Sequence, residues 1–136
     1  MAKLWKPEKY KEPKQEIQPH VMTLQEKQLI EQLTPVIKSR HLIKFWYEDT
    51  DRSDFEDWRI VEPHLIGQHK YKAANIMLVA WFLPTLEQMG DGHFEDWKQY
   101  NLDTIKRIEI LPNKYTHTRP FYNPFDKRMK AIFCAT

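Results

Sequence analysis

Residues 76–82 read Ile76-Met77-Leu78-Val79-Ala80-Trp81-Phe82, apolar at every position. A strand of this kind has to be covered on both faces, which predicts that it lies at the centre of the fold. Two more strand-like blocks flank it. Arg59-Ile60-Val61-Glu62-Pro63 precedes it, and Tyr100-Asn101-Leu102-Asp103-Thr104-Ile105 follows it. Both place polar groups, an arginine among them, beside the core. The combination predicts a small β-domain with a site and without a catalytic set.

Working outward, the chain before these blocks predicts one helix. Thr23 and Glu26 have capping-box spacing, and Leu29, Ile30, Leu33, Val36 and Ile37 recur at helical intervals, giving a helix over about residues 24–39. Pro35 lacks an amide hydrogen, so it either kinks this helix or occupies the first turn of a new one capped by Thr34. A β-rich run follows over His41–Tyr47, with Ile43, Phe45 and Tyr47 on one face and Leu42, Lys44 and Trp46 on the other. The later strands are expected at about 58–66, 74–82, 97–102 and 105–111. Pro63 marks an edge or a bulge, because it cannot donate to a ladder. A polar turn is expected over Gly67–Lys70, and a long loop over Glu87–Asp96. Ile108 and Ile110 are expected to face the core, with Pro112 ending the fifth strand. Arg128–Ala135 reads as a last strand or helix.

One helix followed by five short strands predicts a mainly β fold with some α: a small, strongly bent antiparallel sheet or partly open barrel. No helix lies between the strands, which excludes a parallel βαβ arrangement. The expected organisation is an N-terminal arm over residues 1–22, a helix-plus-β unit over 23–112, and a C-terminal extension over 113–136 packing on it. The arm carries Pro7, Pro13 and Pro19 among alternating Lys and Glu, and Trp5 and Tyr10 could pin it to the domain.

The chain has 136 residues, enough for one core, and a net charge of +2, too small by itself to indicate a nucleic-acid binder. The charge is uneven. Residues 48–57 hold six acidic residues and one basic, which leaves 20 basic against 13 acidic elsewhere. A phosphate-bearing partner would therefore bind away from that acidic loop. The single cysteine, Cys134, excludes an intramolecular disulfide and is expected to be a small buried apolar group, pointing to a reducing, cytoplasmic setting. The sequence shows neither a membrane-spanning run nor the apolar segment of a signal peptide.

The order of blocks resembles the WYL domain family over about Leu29 to Leu111. The resemblance is carried by a strand ending in Tyr47, by Arg59, Val61 and Pro63, by Leu78 and Ala80, and by Tyr100, Leu102, Asp103 and Ile105. It implies a five-stranded, SH3-like, Sm-related antiparallel barrel behind a leading helix. It also implies a ligand-sensing or nucleic-acid-binding regulatory module of transcription control or phage defence. The family's tryptophan–tyrosine pair is replaced by Ile76 and Met77, and its arginine between the aspartate and isoleucine is Thr104 here, with Lys106 and Arg107 just downstream.

The candidate ligand site comprises Arg59, Tyr47, Tyr100, Lys98 and Arg107. A guanidinium on an apolar face binds phosphate or carboxylate in two-pronged fashion, and tyrosines stack on a base. The competing reading of Arg59 is an ion pair with Asp57, Glu62 or Asp103. The expected ligand is anionic, a nucleotide or a single-stranded nucleic acid. The alternative is a protein-interaction domain that buries its aromatic-rich ends, Trp5 and Tyr115–Phe125, against a partner or a second copy. No cofactor is expected. Counted from Asp49, the acidic loop places Asp54 and Ile60 where a calcium loop needs glycine and glutamate. His64 and His69 lack the companions a zinc site requires. Neither a nucleophile elbow nor a phosphate-cradling glycine loop is present.

Overall fold

The computed structural model describes residues 20–49, 55–71 and 75–136, apart from the side chain of Phe55. The arm before His20, the tip of the acidic loop and residues 72–74 lie outside the described residues, as do Trp5, Tyr10, Asp51 and Asp54.

Helix α1 spans Leu24–Lys38. The Thr23 side chain accepts from the Glu26 amide at 3.1 Å, and Glu26 Oε1 accepts from the Thr23 amide at 2.9 Å. Two of the helix's orphan donors are thereby satisfied, as the spacing predicted. The helix runs on through Pro35 with no new start at Thr34, whose hydroxyl instead donates to the Ile30 carbonyl at 2.6 Å. Leu33, Val36 and Ile37 face the sheet.

Six strands form one antiparallel sheet: β1 His41–Asp49, β2 Phe55–His69, β3 Ile76–Phe82, β4 Asp96–Asn101, β5 Ile105–Lys114 and β6 Met129–Ala135. Their order is β4-β3-β2-β1-β5, and β6 pairs with β2. β3 is covered on both faces, as its composition requires, yet the central strand is β2. Its first half pairs with β1, its second half with β6, and β3 lies along its other side.

A 3-10 turn of three residues, Leu102–Thr104, joins β4 to β5. In a flat sheet those strands would be four spacings apart, roughly 19 Å, while such a turn advances only about 6 Å. The sheet therefore curls until its two edge strands approach. Among the described residues no ladder joins β4 to β5, so it is an open sheet and the expected barrel is not closed.

Several boundaries differ from the sequence reading. The stretch Gly67–His69 is strand, not turn, because β6 supplies it with a ladder partner. Gly67 is needed there: a Cβ would lie 2.9 Å from the Ala131 carbonyl oxygen. β5 continues past Pro112 to Lys114, as an edge strand can, since only one of its sides needs donors. The expected long loop contains a short helix, α2, over Leu86–Gly90, capped by Thr85 and Gln88. Ile108 packs on the core, but Ile110 is 46% exposed on this edge strand.

The main core lies between α1 and the inner face of the sheet and includes Ile43, Phe45, Val61, Leu78, Phe82 and Cys134. A smaller cluster covers the opposite face, where Leu65, Val79 and Met129 pack with Trp97 and Tyr122.

Candidate functional site

Arg59 lies on the inner face of β2, across from Phe45 of β1. Its side chain is buried. Nε donates to Asp57 Oδ1 at 2.9 Å, and Nη1 lies 3.5 Å from the Tyr100 hydroxyl. The guanidinium carbon is 4.6 Å from the ring centres of both Tyr47 and Phe82. Burial disfavours the charge, but the Tyr100 hydroxyl and Asp57 outweigh it and hold the group firmly protonated. Burial also pushes the Tyr100 hydroxyl up to about 12, so it stays neutral and accepts from Arg59.

Helix α2 locks this cluster from outside. Gln88 Nε2 donates to Asp57 Oδ2 at 3.1 Å and to the Trp58 carbonyl at 2.9 Å. Arg59, Tyr47 and Tyr100 are thus brought together, with Phe82 as a wall the sequence reading missed. Phe82 shares a strand face with Leu78 and Ala80, which was the available signal. The ion pair with Asp57 was one of the sequence-level alternatives for Arg59.

The other two candidate residues have different surroundings. Lys98 is half-buried, two residues before Tyr100 on the same face of β4 and across from Ala80. Arg107 is exposed. It adopts φ +50° at a bulge where β5 carries one more residue than β1 between the pairs Lys44–Glu109 and Trp46–Lys106. Lys106 and Arg107 line a cleft of about 670 Å³ between β5 and α1, with Gln25, Gln28, Gln32 and Leu29 on the helix side.

The outer face of β1, β2 and β5 carries an aromatic pair beside that cleft. Trp46 is the direct neighbour of Trp58 on β2 and of Lys106 on β5. The two indoles meet edge to face at 5.2 Å, and Lys44 Nζ lies 5.1 Å from the centre of the Trp58 ring. Trp58 is 41% exposed. Glu48 and Glu56 face each other further along the hairpin, Glu109 lies opposite Lys44, and Glu26, Glu48 and Asp103 line the cleft together with Lys106 and Arg107.

A second polar centre lies on the other face of the sheet. Between Pro63 and Leu65 the β2–β3 register shifts, and His64 is the extra residue, the bulge that Pro63 signalled. Nδ1 donates to the Glu62 carbonyl at 2.8 Å, which leaves Nε2 as a bare acceptor with no hydrogen-bond partner. Tyr115 stacks on the ring at 4.6 Å, and Trp97 and Tyr122 close it in. Beside it Arg119 makes two 2.7 Å bonds to the buried Glu62 carboxylate.

Burial pushes the His64 pKa below the ordinary histidine value of 6.5. The unfolded chain therefore binds a proton below pH about 6.5 that the folded protein refuses. Stability is full above that pH and falls as the pH drops from there towards the lower folded value. Urea midpoints measured from pH 7.5 to 5 should decline more steeply for the wild type than for His64→Gln. Equal slopes would show that His64 does not carry the effect.

Among the described residues, no group of three or more His, Cys, Asp or Glu side chains could hold a metal ion, and no helix is long and apolar enough to cross a membrane. No protein-family model matches the chain, and no curated protein matches it. Among solved structures it is similar to proteasome accessory factor B/C (PafBC) of Arthrobacter aurescens, with 20% identity and a TM-score of 0.54. The match covers 79% of this chain and 15% of that one. At this identity the likeness concerns the fold, and this chain corresponds to a small part of the larger protein.

Proposed function

We propose that this chain is a WYL-like binding module of regulatory or accessory type, without catalytic groups, that takes an anionic, base-bearing ligand. That ligand is a nucleotide or a single-stranded nucleic acid. The reading is supported by the order of sequence blocks and by the fold likeness to part of PafBC. One observation carries it: Trp46 and Trp58 form an aromatic surface flanked by Lys44 and Lys106, with Arg107 next in the chain. Indoles stack on any base, and lysine and arginine neutralise phosphate, releasing bound counterions.

In this reading Arg59, Tyr47 and Tyr100 hold the sheet in shape beneath the site. Their groups are buried against one another and against Asp57, so they brace the strands that present Trp46 and Trp58. Arg107 is the member of the sequence-derived set that meets the ligand directly.

The test is a tryptophan-fluorescence titration with a short single-stranded oligonucleotide and with a mononucleotide. Affinity should fall steadily with added salt. Trp58→Ala should weaken binding about fivefold or more, since a stacked base contributes roughly 1–3 kcal/mol. Arg107→Ala should reduce both the affinity and the salt dependence. Binding that ignores salt and both substitutions would overturn the proposal.

A further inference from the structure

Residues 115–128 link β5 to β6 and lie across the face of the sheet opposite α1. Their main attachments converge on three residues of β2. The Tyr115 hydroxyl donates to the Pro63 carbonyl at 2.5 Å, Arg119 holds the Glu62 carboxylate, and the Tyr122 hydroxyl donates to the His64 carbonyl at 3.1 Å. Arg40 and Trp97 add bonds to the Thr116 and Pro120 carbonyls, each at 2.7 Å. At the centre lies the His64 ring, fully buried between Tyr115, Trp97 and Tyr122, with Nε2 bare. The segment is also imperfectly seated. A 340 Å³ pocket opens where Phe121, Tyr122 and Asp126 meet Val79 and Trp97. Phe121 has φ +67°, which bulky residues rarely adopt, and its ring is in solvent.

We propose that residues 115–128 form an acid-released strap with His64 as its catch: a proton taken up at Nε2 lifts the strap from β2 while the main core stays folded. The closed site has no place for that proton. An N–H at Nε2 would find no acceptor there, and a buried donor without one is costly. The charges facing the ring add to the cost. Arg119 of the strap and Arg40, at the junction of α1 and β1, both bring positive charge. Glu62 of β2 brings the opposing carboxylate, but both its oxygens already accept from Arg119. Burial holds the Tyr115 and Tyr122 hydroxyls above their ordinary range, so both stay neutral. The Tyr115 face attracts a cation, but it does not replace the missing acceptor. Lifting the strap gives Nε2 water and takes Arg119 away from the ring.

The lift is local because the two cores are separate. Leu65, Val79 and Met129 form the small cluster under the strap, while Ile105 of β5 and Cys134 of β6 belong to the main core. The strap is therefore tethered at both ends and bulges outward without unzipping the sheet. It uncovers apolar surface around Val79 and Trp97. This goes beyond the loss of global stability at low pH, which requires only that the unfolded chain bind the proton.

Native-state hydrogen exchange on the intact chain tests it. The Tyr115 and Tyr122 amides, bonded to the Arg40 and Arg119 carbonyls, report the strap, and α1 amides report the main core. Strap amides should exchange through an opening that low urea leaves unchanged, while core amides track urea. With intrinsic exchange corrected, that opening should become up to about tenfold more populated from pH 7.5 to 5.5, because the lifted form takes up the proton that the closed form refuses. His64→Gln should remove this pH response. His117→Gln, at an exposed histidine of the same strap, should keep it. Strap amides that exchange only together with the core, or a wild-type opening indifferent to pH, would overturn the proposal without any substitution. So would a response that survives His64→Gln or disappears in His117→Gln.

Discussion

Arg59→Ala is expected to destabilise the fold by about 2–4 kcal/mol, mostly through the cavity it leaves, since Asp57 stays partly exposed to water. Two losses combine. Asp57 loses its 2.9 Å bond to Arg59 and keeps the weaker support of Gln88. Tyr47, Phe82 and Tyr100 lose the group that fills the space between them, which leaves a cavity in the inner core. Arg59→Met, which keeps most of the volume, should recover part of the loss. Urea denaturation followed by tryptophan emission measures both. A cost for Arg59→Ala below about 1 kcal/mol would show that the pair is not structural, since typical surface changes fall within that range. The folded fraction of Arg59→Met should still bind oligonucleotide, which separates the bracing role of Arg59 from contact with ligand.

Arg119→Ala is expected to cost about 3–5 kcal/mol, because it leaves a buried carboxylate with neither oxygen paired to the guanidinium. Arg119 comes from the C-terminal extension and Glu62 from β2, so this pair pins the extension across the sheet. Its guanidinium also lies 5.2 Å from the ring centre of Trp81, which is lost at the same time. The double change Glu62→Gln with Arg119→Met removes both charges and should recover most of the stability. Chemical denaturation gives the double-mutant cycle. If the double variant were no more stable than Arg119→Ala, the cost would lie in packing and not in the unpaired charge. Near-ultraviolet circular dichroism should report the loosening of Trp81 and Trp97 in the single variant.

These two ion pairs show how far the sequence reached into the site. Arg59 stood out because it interrupts an apolar face, and Asp57 was among three carboxylates considered for it. Tyr47 and Tyr100 were grouped with it as candidate site residues, and the structure brings the three together. The clamp by Gln88 was hidden because α2 is only five residues long, too short for a helical pattern. The Arg119–Glu62 pair joins residues 57 positions apart, and nothing local in either segment signals the other. His64 was weighed as a metal ligand. The proline before it marked an edge or a bulge, and the structure has the bulge, which turns the imidazole into an aromatic enclosure.

What the amino-acid sequence determined by itself is the local layer: a capped helix, an all-apolar strand covered on both faces, the succession of the first five strands along the chain, and the face on which Arg59 lies. These follow from periodicity and from backbone donors, which act over a few residues. Tertiary structure alone decided the rest. The long β2 strand, not β3, is central because one half pairs with β1 and the other with β6. The three-residue turn curls the sheet, and the bulge at Arg107 leaves that cation exposed while Arg59 is enclosed. Whether a cation braces the core or meets solvent depends on how distant strands pair and bend, and that geometry is set by packing across the whole sheet.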